Sequence, residues 1–347
     1  MPLVTLKDAL QDACARRYAV GSFNVVNLDF LEAILEAAEA EYSPVILSVA
    51  EVHFKYVTLE NISPAILACA QRARVPVVVH LDHGESLEAI MRALRNGFTS
   101  IMFDGSHLPY EENVARTAQV AAICHALGVS VEAELGCIGG EEGGQGGQAN
   151  RDLFTDPRQA QDFCRRTGCD ALAVAIGTVH GLYKAAPNLD LERLEQIRQL
   201  VPVPLVLHGG TGLSDDDFHN CIDRGVAKIN FFTGMSVGAT AAVRERLAAD
   251  PKFSSYPDLL ALGKKTITQI VREQMRIFRS SGVCRERIEA CGIAQVCAAP
   301  GRAAIPAAAP EQPAALTGTG GQPAGDPAAL AEIIAQSIAA VLNRSNS

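Results

Sequence analysis

Three apolar runs in this chain each end in a histidine followed by a glycine, and the polar residues at those ends are the ones able to do chemistry. The runs are Val77-Val78-Val79-His80-Leu81-Asp82-His83-Gly84, Ala173-Val174-Ala175-Ile176-Gly177-Thr178-Val179-His180-Gly181 and Pro204-Leu205-Val206-Leu207-His208-Gly209-Gly210-Thr211-Gly212. Imidazoles delivered by three separate strand ends form the ligand set of a catalytic zinc site, which keeps one coordination position for substrate. The competing reading is three unrelated histidines at loop entrances, and the repetition of the His-Gly ending argues against it. Asp82 lies at the end of a buried run, where a carboxylate is costly without a partner or a task. His80, inside the run, reads as an interior histidine with a hydrogen-bonded partner.

The missing motifs narrow the chemistry. HExxH and the Walker phosphate loop are absent, so metalloprotease and NTPase readings have no support. A barrel hydrolase with a similar metal site wants an HxH pair on its first strand, where this chain has Ser22-Phe23-Asn24. The metal is therefore read as a Lewis acid that polarises a carbonyl rather than as a source of hydroxide. Glycine-rich turns at Gly209-Gly210-Thr211-Gly212 and Asn230-Phe231-Phe232-Thr233-Gly234 suit phosphate binding through backbone N–H groups and helix N-termini. Lys184 can add a charge there. The alternative is that these are tight turns needing glycine.

Strands must carry these residues to one place. After a lead-in helix over residues 5–17, apolar runs at 21–26, 45–50, 75–80, 100–104, 129–135, 171–176, 204–207 and 228–232 read as strands. Helical patterns alternate with them, opened by Asn27, Asp156-Pro157 and Ser214. Eight strands in alternation with helices imply a parallel sheet closed into a (β/α)8 TIM barrel, with a doubly wound open sheet as the competing fold. Barrel chemistry sits at the carboxyl ends of the strands. Asp82, His83, Asp104, Glu134, His180, His208 and Asn230 all fall there and can share one mouth.

Residues 139–147 are too glycine-rich for a regular element and read as a mobile loop. An extra helix follows the barrel at about 263–279, and the barrel domain is expected over residues 1–297. Residues 298–325 are rich in Pro, Ala and Gly, with Arg302 and Glu311 as their charges. Such a segment cannot offset its ordering entropy and reads as a disordered linker. Asp326-Pro327 then opens a short amphipathic helix over 326–347, with Leu330, Ile333, Ile334, Ile338, Val341 and Leu342 on one stripe.

Composition excludes some partners. A net charge of −9 over 347 residues argues against nucleic acid or an anionic membrane surface. Ten cysteines without a CxxC pair read as thiols of a reducing compartment. No apolar run reaches the length of a membrane span and no signal-peptide pattern opens the chain. The expected location is the cytoplasm, or an enclosure entered after synthesis there.

Several motifs, taken in order, resemble the class II, zinc-dependent ketose-bisphosphate aldolases, in the branch with fructose- and tagatose-bisphosphate aldolases. They are Phe23-Asn24, Leu81-Asp82-His83-Gly84, Met102-Phe103-Asp104-Gly105-Ser106, Glu132-Ala133-Glu134-Leu135-Gly136, Gly177-Thr178-Val179-His180-Gly181, His208-Gly209-Gly210-Thr211-Gly212 and Lys228-Ile229-Asn230. The likeness runs over about residues 1–285. It implies reversible cleavage of a ketose bisphosphate to dihydroxyacetone phosphate and an aldehyde, by a homodimer or homotetramer. It also implies Zn2+ on His83, His180 and His208, and Asp82 as the acid/base at the C4 oxygen. Glu142 matches the residue that moves the proton on the dihydroxyacetone-phosphate carbon. Asp104 and Glu134 match positions that take an alternative metal position or orient the ligands. Substrate contacts fall on Asn24, Gly181, Lys184, Gly209, Gly210, Thr211, Asn230, Phe231, Phe232 and Thr233, and backbone oxygens near Gly181 and Gly209 match a site for Na+ or K+.

The chain departs from the pattern at Phe231-Phe232-Thr233-Gly234, where the phenylalanines are either packing residues or reshape the pocket. Another phosphorylated sugar is the alternative substrate. The linker and terminal helix resemble the encapsulation peptides that direct enzymes into bacterial microcompartments through a shell protein. A helix folded back on the barrel and an appendage without a role are the alternatives.

Overall fold

The computed structural model describes residues 3–140, 150–184 and 187–290. The described part of the compact unit over residues 1–288 holds a closed barrel in which eight parallel strands pair in chain order. The strands are β1 (Val20–Asn24), β2 (Val45–Ala50), β3 (Val77–Gly84), β4 (Ser100–Phe103), β5 (Ser130–Leu135), β6 (Ala171–Val174), β7 (Leu205–Leu207) and β8 (Val226–Asn230). Around them stand α1 (Leu6–Arg16), α2 (Leu28–Glu41), α3 (Leu59–Arg72), α4 (Leu87–Arg95), α5 (Tyr110–Ala126), α6 (Pro157–Thr167), α7 (Leu191–Leu200), α8 (Asp215–Asp223), α9 (Thr233–Ala249), α10 (Tyr256–Ile277) and α11 (Arg285–Ala290). No helix among the described residues is long and apolar enough to cross a membrane.

Alternation along the strands decides what fills the barrel. Val45, Leu47 and Val49 on β2, with Val77, Val79 and Leu81 on β3, belong to the outer core that also holds the helices' apolar faces. Their neighbours Ile46 and Val78 join Val20, Met102, Val206 and Ala227 in a second cluster, with Leu6, Leu10 and Ala13 of α1. The lead-in helix thus closes the end of the barrel where the strands begin. Register pairs Ile46 with Val78, Ser48 with His80 and Ala50 with Asp82, so the interior changes from apolar to polar toward the carboxyl end.

The middle of the interior is held by polar contacts. Lys228 and Glu132 are fully buried with Nζ 2.8 Å from Oε2, and Ser22 and Ser48 are hydrogen-bonded through their hydroxyls. His80 is the interior histidine expected, its Nδ1 2.8 Å from the Ser100 hydroxyl. Burial holds its pKa down near 3, helped by the charge of Lys228.

Local signals in the sequence mark the helix starts. The Asn27 side chain accepts from Phe30 N, that of Asp156 from Arg158 N and Gln159 N, and Ser214 forms a capping box with Asp217. Two boundaries differ most from expectation. The helix expected over 263–279 begins at Tyr256, where Pro257 stands in the first turn. The third strand, expected to stop at His80, continues to Gly84 because Asp82 pairs with Ala50 of β2. The expected linker at 298–325 and terminal helix at 326–347 lie outside the described residues.

Candidate active site

The extension of β3 creates the site. Its pairing with β4 shifts between Leu81 and Gly84, and His83 inside the shift has a left-handed backbone, φ 43°. A non-glycine residue in that region costs about 1–3 kcal/mol and persists where the surroundings enforce it. In a regular strand Asp82 and His83 would face opposite ways. The bulge with its turned residue aims both into the mouth, as bulges do when they re-aim a side chain.

His83 meets two other histidines there. The ring centroids of His83 and His208 are 4.6 Å apart, those of His83 and His180 4.9 Å, and those of His180 and His208 5.8 Å. One nitrogen from each of the three lies within 4.8 Å of the others. His208 comes from the end of β7. His180 is placed by its own N–H, which donates to Gly139 O at 2.8 Å and ties the loop after β6 to the loop after β5.

Partners on the outer nitrogens set which nitrogen faces inward. His83 Nδ1 is 2.7 Å from Asp104 Oδ2, and His208 Nε2 is 2.9 Å from Glu132 Oε1. That leaves His83 Nε2 and His208 Nδ1 facing each other at 2.8 Å, while His180 Nε2 is buried without a hydrogen-bond partner among the described residues. Carboxylates behind ligating imidazoles fix tautomer and ring orientation at metal sites. The donor set, three inward nitrogen lone pairs backed by two carboxylates, fits a divalent cation such as zinc. A second candidate group, His83 with Asp104 and Glu134, shares one ligand with the first.

Asp82 stands beside the cluster with both oxygens engaged. Asn24 Nδ2 donates to Oδ2 and Asn230 Nδ2 to Oδ1, each at 2.9 Å. Burial raises its pKa, but the charges of His83 and Lys228 outweigh that and hold the carboxyl well below its usual range. Glu134 behaves in the opposite sense, pushed well up by burial and by the Asp104 charge. Glu132 stays low, at about 2, because Lys228 and His208 overcome its burial.

These observations specify a metal-dependent barrel enzyme, and comparison with known proteins gives the family. Residues 4–283 match the family model described as fructose-bisphosphate aldolase class-II. The chain belongs to the class II fructose-bisphosphate aldolase family. It is 44% identical over 286 residues to the fructose-bisphosphate aldolase of Geobacillus stearothermophilus, covering 81% of this chain and 99% of the relative. It is 45% identical over 284 residues to the probable fructose-bisphosphate aldolase of Bacillus subtilis, with the same coverage. Among solved structures it resembles the YdjI aldolase from Escherichia coli K12, with 38% identity and a TM-score of 0.73 over 81% of this chain and 98% of that one. The protein is thus a carbon–carbon lyase of the metal-dependent aldolase class.

Most residues singled out in the sequence come together in this aldolase. His83, His180, His208, Asp82, Asp104, Glu134, Asn24 and Asn230 are all buried around the mouth. Asn24 and Asn230 do more than line it, since they hold Asp82 by both oxygens. Gly209 must be glycine: its φ is 70°, and a Cβ there would stand 2.3 Å from Val179 O. The neighbouring Thr211 hydroxyl accepts from Gly234 N at 3.1 Å, joining the turns after β7 and β8 at the N-terminus of α9. Gly181 is buried with φ 80°, and Lys184 is exposed.

Phe231 and Phe232 are packing residues in this aldolase. Phe231 meets the edge of Phe23 at 6.5 Å, and Phe232 packs on Phe30 at 6.0 Å. Glu142 lies outside the described residues. Two site residues had no role assigned from the sequence: Glu132, which shares a strand face and a motif with Glu134, and Tyr183, whose hydroxyl donates to Gly209 O at 2.8 Å.

Proposed function

We propose that the chain catalyses reversible aldol cleavage of a ketose 1,6-bisphosphate of the fructose or tagatose type, giving dihydroxyacetone phosphate and an aldehyde. The observation that carries this reading is the convergence of three inward imidazole nitrogens within 4.8 Å of one another beside Asp82, whose oxygens are both held. His83, His180 and His208 are the zinc ligands of this proposal, with Asp104 and Glu134 as an alternative metal position or orienting pair. When bound there, zinc would supply a Lewis acid that stabilises the negative charge developing on the three-carbon half.

The chain's own residues then divide the proton work. Asp82, kept ionised, takes the proton from the hydroxyl on the fourth sugar carbon as the bond to the third carbon breaks. The electron pair stays with the three-carbon half. Glu142 returns a proton to that carbon, so two acid/base groups act at different places. The phosphate of that half is assigned to backbone N–H groups at Gly209, Gly210 and Thr211 and over Asn230–Thr233, where α9 begins. Lys184 adds charge nearby, and the backbone near Gly181 and Gly209 is assigned to Na+ or K+.

One observation favours a second substrate. The cavity beside the histidines, about 570 Å³, is lined among the described residues by Glu51, Glu85, Asp104 and Glu134, with no Lys or Arg. A phosphate on the aldehyde half wants a cation there, so a ketose phosphorylated only on its dihydroxyacetone half is the rival substrate. Cleavage assays with fructose and tagatose bisphosphates, beside a ketose 1-phosphate, test the reading by the aldehyde and dihydroxyacetone phosphate they release. Cleavage of a bisphosphate supports the first substrate class, and cleavage of the monophosphate alone supports the second. Failure to release dihydroxyacetone phosphate from any of them refutes the aldolase assignment.

The domain division, the barrel over 1–297 followed by a linker and an amphipathic helix, belongs to the same proposal. The enzyme is assigned to the cytoplasm as a homodimer or homotetramer, which light scattering distinguishes. The terminal helix is assigned to a microcompartment shell protein. Deleting residues 298–347 is expected to leave turnover unchanged and abolish shell association. Collapse of activity on deletion would make the tail part of the catalytic body.

A further inference from the structure

His53 is 1% exposed, yet neither of its ring nitrogens has a hydrogen-bond partner among the described residues. Buried polar atoms left unsatisfied are costly, and such groups in native structures call for an explanation. The fold holds this ring deliberately. It lies in the 3₁₀ helix Glu51–Lys55, directly after Ala50, the residue in register with Asp82.

The helix is fastened at both ends. The Glu51 carboxylate accepts from Glu85 N at 2.9 Å, Ser86 N at 3.2 Å and the Ser86 hydroxyl at 2.7 Å. Phe54 lies under the Arg92 guanidinium at 5.1 Å. The His53 ring itself packs on Phe232 with centroids 4.5 Å apart and on Tyr56 at 5.9 Å. Its neighbours in sequence, Glu51 and Val52, line the cavity that also touches His83 and His180.

We propose that His53 is a substrate-contacting specificity residue, whose imidazole hydrogen-bonds a hydroxyl on the aldehyde half of the sugar. A neutral imidazole offers one donor and one acceptor, which matches a hydroxyl. A phosphate would want a cation, and this wall of the cavity carries Glu51 and Glu85 instead. The position fits the aldehyde half because His53 follows, by three residues, Ala50, which is in register with Asp82, the group assigned to the oxygen on the far side of the bond that breaks. Burial holds the ring near a pKa of 4, so it is neutral at pH 7. The inference rests on the aldolase reading and adds to it a residue that tells substrates apart.

The test separates the two halves of the reaction. Exchange of the dihydroxyacetone-phosphate C–H proton with solvent needs only the three-carbon half, whereas cleavage of a full ketose phosphate needs both. His53→Phe keeps the stacking and removes both ring nitrogens. It is expected to lower kcat/KM for cleavage by about tenfold or more while proton exchange stays within about threefold. His53→Gln, which retains a donor and an acceptor, is expected to recover part of the cleavage loss. Parallel loss of exchange and cleavage, unchanged cleavage, or failure of both variants to fold would each overturn the inference. If the unsubstituted enzyme neither exchanges nor cleaves, the aldolase reading falls first and takes this inference with it.

Discussion

Asp82→Asn is expected to lower kcat by about a hundredfold to ten-thousandfold, the usual range for loss of a positioned general acid/base. The substitution keeps the side chain's size, and the two groups that hold Asp82 can adapt to it. Asn24 and Asn230 each present Nδ2 to the carboxylate, and each has a buried Oδ1 without a partner among the described residues. A half-turn of either amide lets that oxygen accept from the new Nδ2. The folded state should therefore survive, and so should the three histidines. Metal content and the thermal midpoint are expected to match those of the unsubstituted enzyme, with KM changed far less than kcat. A variant that keeps kcat within about threefold would remove Asp82 from the proton chemistry.

Removal of the metal gives the other large effect. Dialysis against a chelator is expected to reduce turnover below about 1% of the starting value, and added zinc to restore it. The chain itself explains the dependence. His83 Nδ1 is hydrogen-bonded to the Asp104 carboxylate and the ring feels the Asp82 charge, so its pKa is raised well above normal because their attraction exceeds the cost of burial. The site concentrates negative charge where it needs a cation.

His180→Ala separates coordination from general electrostatics. It deletes an inward nitrogen without touching the Asp104 or Glu132 contacts of the other two rings, so zinc affinity should fall and added zinc should fail to restore full turnover. The same metal should raise the thermal midpoint of the unsubstituted enzyme, since a ligand bound only by the folded state stabilises it. Turnover that withstands the chelator would refute the zinc chemistry.

The barrel was legible because its strands are short β-branched runs with helix caps between them, and those signals are local. Asn27, Asp156 and Ser214 cap helices as their spacing implies. The strand-end histidines were legible because polar residues closing a buried run need a reason. The bulge at Asp82-His83 was not. The apolar pattern stops at Leu81, and only the pairing of Ala50 with Asp82 across two strands shows that β3 continues.

Tertiary context hid the rest in the same way. Glu-Val-His-Phe-Lys reads as a connection between a strand and a helix, and nothing local says that His53 becomes buried against Phe232. Phe231 and Phe232 left two readings open, and their contacts with Phe23 and Phe30 support the packing one. The start of α10 was missed because its first turns, although they carry Leu259, Leu260 and Leu262, bury none of them, and the helix buries only Gly263, Ile267, Val271 and Met275 along its length.

The central claim is that His83, His180 and His208 hold one zinc ion beside Asp82. Anomalous diffraction at the zinc absorption edge, from crystals of the full chain grown with the metal, tests it most directly. The account predicts a single strong peak about 2.0–2.1 Å from His83 Nε2, His208 Nδ1 and a nitrogen of His180, with the Asp82 carboxylate next to it. A peak bound by other residues, or none at these rings when the enzyme is active, would contradict it.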